Sequence, residues 1–340
     1  MKDLPSITVV VPAYNCEKTI GRTLDSLKAQ TYRNMTILVV DDGSSDATAQ
    51  VVERYAQDDS RIKLMRQSNA GTYMARANAF RGLDTDYFAS VDADDAVEPE
   101  MFKEMIRFAE ENRLDVVQCD ICGWSEGAEP TIYRTREEVF DNYVVPQLYE
   151  GRGNAMVCGK IYKLKCRPDS FEEVKSLAYE DLLLNMQIFR KVESYGHLHR
   201  EFYHYILNTQ STTNTFRACD VADFAEVIGC RRKFCKPLGL DPDGRAFHAW
   251  IVLNAGNMLY KATYARDTAL SRRYGNIVGI VHLKDVERAV ENTAGGEDPR
   301  HRRFQLQFAR KFTVAYIVWT RLMAAMYATY AFARKRLIKK

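Results

Sequence analysis

Two short segments of this 340-residue chain crowd carboxylates together, Asp41-Asp42-Gly43-Ser44-Ser45-Asp46 and Asp92-Ala93-Asp94-Asp95. Such groups repel one another, so they persist where a cation or a donor-rich ligand compensates them. In an extended strand end, residues i and i+2 project to the same side. Asp92 and Asp94 can therefore address one hard cation, Mg²⁺ or Mn²⁺, that also holds phosphate oxygens. Triplets of this kind are common in solvated loops, and it is the position directly after the apolar run Phe88 to Val91 that gives this one weight. The first segment has a local reading: Gly43 makes a turn, and Ser45 or Asp46 caps the following helix. Capping needs only one of its acids. Asp42 is left to accept a hydrogen bond from the imide N–H of uracil, with Tyr14 placed to stack on the base.

The elements that must position these residues follow from periodicity. Ile7 to Val11 is a β-branched run, read as a buried strand that Pro12 stops. Ile20, Leu24 and Leu27 then recur at helical spacing. The cycle repeats with strands over 36–40, 62–65 and 87–91, and helices over 46–56, 73–83 and 98–111. This alternation predicts an α/β fold, a mostly parallel sheet with helices on both faces, whose ligands bind at the carboxyl ends of the strands. Beyond Leu114 the rhythm loosens. A strand is read over 115–119, a polar excursion over 125–134, a helix over 137–149, and a helix from Tyr179-Glu180-Asp181 to about Val192. Two short strand pieces follow, at 197–198 and 202–207, and the pattern is helical from Asp220 onward.

The ordered set V-V-V-P-A-Y-N (9–15), L-K-A-Q-T-Y (27–32), V-V-D-D-G-S-S-D (39–46), N-A-G-T-Y-M-A-R-A-N (69–78), V-D-A-D-D (91–95) and Y-E-D-L-L-L-N (179–185) resembles the family 2 glycosyltransferases of GT-A fold. The likeness covers roughly residues 5 to 215. It implies a UDP-sugar donor, a divalent metal (Mn²⁺ or Mg²⁺) and inversion at the anomeric carbon. Carried over by position, Pro12, Tyr14, Asn15 and Asp42 would hold the uracil. Arg76 would lie near the nucleotide, with Asn69 and Ala93 completing the donor set. Asp92 would face ribose and metal, and Asp94 would ligate the metal. Asp181 would be the general base and Glu180 its support, although the pair also reads as an ordinary acidic helix start. The chain departs from the family at Tyr203-His204-Tyr205-Ile206, where an arginine usually precedes the serine here matched by Ser211. Either Arg217 or His204 substitutes, or the metal alone serves the diphosphate. His204 also reads as a packed strand histidine, and Lys160 either as a family lysine or as a solvated one.

Length and composition bound the rest. The chain is more than twice a typical domain, and 46% hydrophobic with 9 Pro and 18 Gly, which excludes disordered and collagen-like classes. The expected domains are 1–217 for nucleotide-sugar binding and catalysis, 218–299 as a helical accessory region, and 300–340 as a basic amphipathic helix. That last segment holds eleven Lys/Arg and no acid, leaving 37 basic against 45 acidic residues over 1–299. The apolar stretch 312–333 is long enough for a bilayer, but Arg321 lies near its middle. The readings for it are a helix lying in an anionic membrane surface, a helix packed on the protein or on a second copy in a homo-oligomer, and a span. A nucleic-acid arm does not suit so apolar a segment. The eight cysteines lack zinc-site spacing, and the start of the chain offers no secretory signal. Both suit a cytoplasmic protein peripheral to the inner face of the cell membrane. The competing reading is a non-catalytic nucleotide-sugar binder or scaffold. A nicotinamide-dependent enzyme is excluded because Pro12 to Asn15 stands where a G-x-G-x-x-G turn would be.

Overall fold

The computed structural model describes residues 4–123, 128–153, 155–174, 179–206, 219–264, 270–293, 300–311, 313 and 316. The chain divides into two compact units, Met1–Asn208 with Cys230–Leu240, and Thr209–Gly229 with Asp241–Lys340.

The first unit opens with the alternation the sequence predicts: β1 (Ile7–Ala13), α1 (Ile20–Lys28), β2 (Met35–Asp41), α2 (Thr48–Asp58), β3 (Ile62–Arg66), α3 (Thr72–Arg81) and β4 (Tyr87–Ser90). It continues with β5 (Ala96–Val97), α4 (Met101–Asn112), β6 (Val116–Ile121), β7 (Thr131–Tyr133), α5 (Arg136–Val139), β8 (Lys160–Lys163), α6 (Glu180–Ile188) and β9 (Tyr195–His204). The sheet runs β3-β2-β1-β4-β8-β6-β9-β5, with β7 on β9. Strands β1 to β4 are parallel. β8 enters antiparallel between β4 and β6, and β9 lies parallel to β6. Every residue of β1 is buried, as expected for a central strand covered on both faces.

Four sequence expectations need correction. Pro12 does not stop β1, which runs on to Ala13. The Val10 carbonyl accepts from Val91 and the Ala13 carbonyl from Asp42, so Pro12 turns its donor-less nitrogen toward the β4 side, where pairing has already ended at Ser90. The polar excursion contains β7. The helix read over 137–149 is α5 followed by a π-helical segment, Phe140–Tyr149, wound around Pro146. The two strand pieces after residue 195 are one strand, β9. Exposed Arg200 and Glu201 interrupt its apolar pattern, and His199 takes a φ of +48° where the register with β6 slips at Asp120.

The second unit is helical. It holds the first part of α7 (Asp220–Cys235), then α8 (Arg245–Tyr264), α9 (Leu270–Val281), α10 (Lys284–Asn292) and α11 (Arg300–Lys311). α8 packs against α9, α10 and α11. Its Ile251, Ala255 and Leu259 are buried, as are Ile277, Val286 and Leu306 from those partners. Among the described residues no helix is long and apolar enough to cross a membrane. The tail reading rests mostly on residues 317–340, which lie outside the described residues, as do Ser211 and Arg217. All eight cysteines are free.

Candidate active site

The carboxyl ends of β1, β2 and β4 carry two clusters. The first is knitted from loops. After Ala13 the chain turns at Asn15, a non-glycine residue at φ +48°. The Asn15 Oδ1 accepts from the Ser45 amide at 2.8 Å and the Ser45 hydroxyl at 3.2 Å, while its own amide donates to Ser44 Oγ at 3.0 Å. Short polar side chains tolerate the left-handed region when they bond locally in this way. Tyr14 is left 52% exposed at the rim. Gly43 sits at φ +76°, and a Cβ there would meet the Asn69 nitrogen at 2.9 Å, so the turn admits only glycine. Asp46, not Ser45, prepares the start of α2, accepting from the Thr48 amide at 2.9 Å. Asp42 is 3% exposed. Its Oδ1 accepts from Gln67 Nε2 and the Ala70 amide, and its Oδ2 from the Gly71 amide, each at 2.8 Å. That carboxylate therefore fastens the loop carrying Asn69 to the end of β2.

The second cluster is joined by one side chain. Arg76, 1% exposed, projects from α3, which packs against β1, β2 and α6. Ala75, Ala77 and Ala79 are buried beside it, and their small side chains let α3 lie close to its neighbours. The guanidinium donates from Nε to Ser90 Oγ at 3.1 Å, from Nη2 to Asp92 Oδ1 at 2.5 Å, and from Nη1 to Asp181 Oδ1 at 2.8 Å. Asp92 and Asp181, 89 residues apart in sequence, thus meet on one cation and share one site. Burial alone would depress the arginine, but Asp181, Asp92 and Glu180 reverse this and hold it above its ordinary value. Burial raises Asp181 and, with Asp181 beside it, Glu180. Both open α6, behind Tyr179 at φ +57°. A bulky side chain in the left-handed region is a costly conformation of the kind that gathers at functional sites.

Asp95, Tyr203 and Asn185 support the site without an assignment from the sequence, and Lys160 joins them. Asp95 is 1% exposed; its Oδ1 accepts from the Ile206 amide at 2.9 Å and its Oδ2 from the Tyr203 hydroxyl at 2.7 Å. The same hydroxyl accepts from the Asp92 amide at 3.2 Å, so Tyr203 ties the acidic loop to β9. Burial pushes Asp95 up to about 7, with the Asp92 and Asp94 charges adding to it. Lys160 is fully buried, which overturns its solvated reading. It donates to the Met156 carbonyl at 2.6 Å, and burial lowers it to about 8. Asn185 grips the Ala155 and Met156 carbonyls from α6, and the Val157 amide bonds Asp181. Paired polar side chains on facing elements were the signal for this clamp, but their partners are backbone atoms, which no residue pattern names. His204 follows Tyr203 on β9 and faces the opposite way. It bonds Glu98 Oε1 at 2.6 Å, with its side chain 41% exposed.

The donor set suits a hard cation. One guanidinium stands against Asp92 and Asp181, leaving the cluster net negative, and Asp94 adds a further half-buried carboxylate. Among the described residues Asp92 and Asp94 belong to no set of three close His, Cys, Asp or Glu ligand atoms. A cation there would take its remaining oxygens from phosphate and water, as Mg²⁺ commonly does.

Residues 8–170 match the family model described as Glycosyl transferase family 2. Over 221 residues the chain is 29% identical to the uncharacterized glycosyltransferase EpsJ of Bacillus subtilis, covering 62% of this chain and 63% of that protein. It is 28% identical over 221 residues to the glycosyltransferase GlyA of Streptococcus pneumoniae, covering 62% of this chain and 32% of the relative. The chain thus spans less than two thirds of the length of these relatives. Among solved structures, residues 1–349 of S. aureus TarS superpose with a TM-score of 0.61 at 21% identity, covering 92% of this chain and 89% of that one. The same TarS segment has been solved with UDP-GlcNAc, at a TM-score of 0.60. At such identity the likeness is one of fold.

Proposed function

We propose, on the premise that this chain belongs to glycosyltransferase family 2 through its domain at 8–170 and has the GT-A fold, that it moves a sugar from a UDP-sugar donor to an acceptor hydroxyl with inversion. The sugar is read as a hexosyl or N-acetylhexosaminyl group, and the acceptor as a glycan, a lipid-linked sugar or a cell-surface polysaccharide. The observation that carries this reading is the Arg76 guanidinium bonded to both Asp92 and Asp181. It sets a donor-side acid and an acceptor-side acid within one site.

Each residue has a task in this reading. Tyr14 stacks on uracil, with Pro12, Asn15 and Asn69 shaping the slot. Asp42 offers the imide N–H the lone pair its three donors leave over. Asp92 meets the ribose, Ala93 leaves room for it, and Asp92 and Asp94 would hold Mn²⁺ or Mg²⁺. That ion would stabilise the charge building on the departing diphosphate. Asp181 takes the proton of the attacking hydroxyl, which is worth about 10²- to 10⁴-fold in rate. The raised value that burial gives it makes it a better proton acceptor, while Arg76 keeps it ionised. Glu180 supports it. Binding of UDP-GlcNAc and of UDP by TarS supports a uridine donor here.

The domain limits proposed are 1–217, 218–299 and 300–340, with the last lying on an anionic membrane near a lipid-linked acceptor. On α11 the 60% exposure of Phe304, beside exposed Lys311, supports that placement. A thermal-shift panel of UDP-, GDP- and dTDP-sugars, with and without Mn²⁺, tests the donor assignment, because a ligand of the folded state raises its apparent stability. UDP-sugars with Mn²⁺ give the largest rise. Equal shifts for all three bases, or none, would overturn it.

A further inference from the structure

Outside this site, β6 and β9 bring a second set of chemically active groups together. His197 and His199 are two residues apart on β9, and Asp120 stands beside them on β6 where the register slips. His197 Nε2 lies 2.6 Å from Asp120 Oδ1, and His199 Nδ1 lies 3.8 Å from Asp120 Oδ2. The two rings are 3.8 Å apart between centroids. The side chains are 12% to 21% exposed, sheltered yet open to a small ion.

The spacing matches a ligand set. Two ligands of a tetrahedral zinc ion stand about 3.3 Å apart, given metal–ligand bonds of about 2.0–2.1 Å. The 2.6 Å contact is a hydrogen bond that a cation would replace, the 3.8 Å separation is close to this value, and one ligand atom from each residue lies within 4.8 Å of the others. The separation of 3.8 Å is too long for a hydrogen bond. On its far side, His199 Nε2 lies 3.1 Å from Thr131 Oγ1 on β7. A partner of this kind on the outer nitrogen orients the ring and leaves the inner nitrogen for a metal. As residues i and i+2 of β9, His197 and His199 project to the same side, and the φ of +48° at His199 marks the slip in register beside Asp120.

We infer that Asp120, His197 and His199 form a site for a borderline divalent cation of the zinc class. Two imidazoles and one carboxylate suit zinc, nickel or copper, whereas the all-oxygen Asp92–Asp94 pair suits magnesium or manganese. Three protein ligands leave a fourth position for water. The inference does not rest on the transferase reading.

The test uses the full-length protein, stripped of metal and held in excess Mg²⁺ to fill oxygen-ligand sites, titrated with ZnCl₂ against a chromophoric chelator. The expected result is one zinc equivalent retained by the wild type. His197→Ala and His199→Ala weaken binding by about tenfold or more, while Cys122→Ser and His204→Ala leave it unchanged. No zinc retained by the wild type, or unaltered retention in both β9 variants, would overturn the inference. Circular dichroism establishes that each variant is folded. Cobalt substitution of the wild type gives a readout that needs no mutation: a visible tetrahedral spectrum without a thiolate charge-transfer band supports the site. A thiolate band would assign the metal to a cysteine-containing set, such as Glu98, Cys122 and His204, and overturn it.

Discussion

The two acidic clusters, at strand ends on either side of β1, are compensated by opposite means. Asp42 is neutralised by its own surroundings, two backbone amides and a glutamine within thirty residues of it. Asp92 and Asp181 come from segments 89 residues apart and lean on a single buried guanidinium. Backbone donors are fixed by the course of the chain, so the first cluster is rigid and electrically quiet. The second keeps more acids than bases in a partly buried setting, where charge interactions are stronger than in water. One arrangement suits reading the shape of a base, the other suits holding a cation and moving a proton.

The sharpest way to break this contrast is Arg76→Met. Removing one partner of a buried ion pair strands the other charges, so the variant should lose about 3–5 kcal/mol in urea unfolding. A loss below about 1 kcal/mol would mean that water, not Arg76, compensates the acids. Asp42→Ala deprives three donors at once and should cost about 3 kcal/mol. Its effect on amide exchange should be confined to residues 67–71, and a rise that spreads to α6 would erase the distinction between the clusters. Lys160 gives a smaller effect, with a defined pH window. Its folded value of about 8 lies below the ordinary 10.5, so the folded state resists its charge. The full cost is present below pH 8 and is relieved as pH rises to about 10.5, so this group makes stability rise across that window. Lys160→Met should remove that rise, which is at most about 3 kcal/mol. An unchanged slope would show that the ammonium is solvated.

Much of the frame was legible because it is written in local periodicity. The β-branched runs of β1 and β2, the helical spacing of α1 and the acids behind β2 and β4 all announce themselves within ten residues. What escaped was set by distant partners. β8 and the unity of β9 depend on neighbours across the sheet, and exposed Arg200 and Glu201 broke the pattern of a strand held by β6 on one side and β5 and β7 on the other. Lys160 read equally as a surface residue, since burial of a charged side chain follows from the elements closing over it. Arg76 was placed near the nucleotide by resemblance, but its bond to Asp181 spans 105 residues and has no local signature. His197 and His199 gain meaning only beside Asp120.

The central claim, that one site holds the donor on Asp92 and its partners while Asp181 takes the proton, is tested most directly by Asp181→Asn. UDP affinity in the presence of Mn²⁺, measured by calorimetry, is compared with the rate of UDP release from a UDP-sugar in the presence of acceptor. The account predicts affinity within about threefold of wild type, well under one tenfold step of 1.4 kcal/mol. It predicts release slower by about 10²- to 10⁴-fold. Unchanged release, or loss of UDP binding equal to the loss of rate, would contradict it.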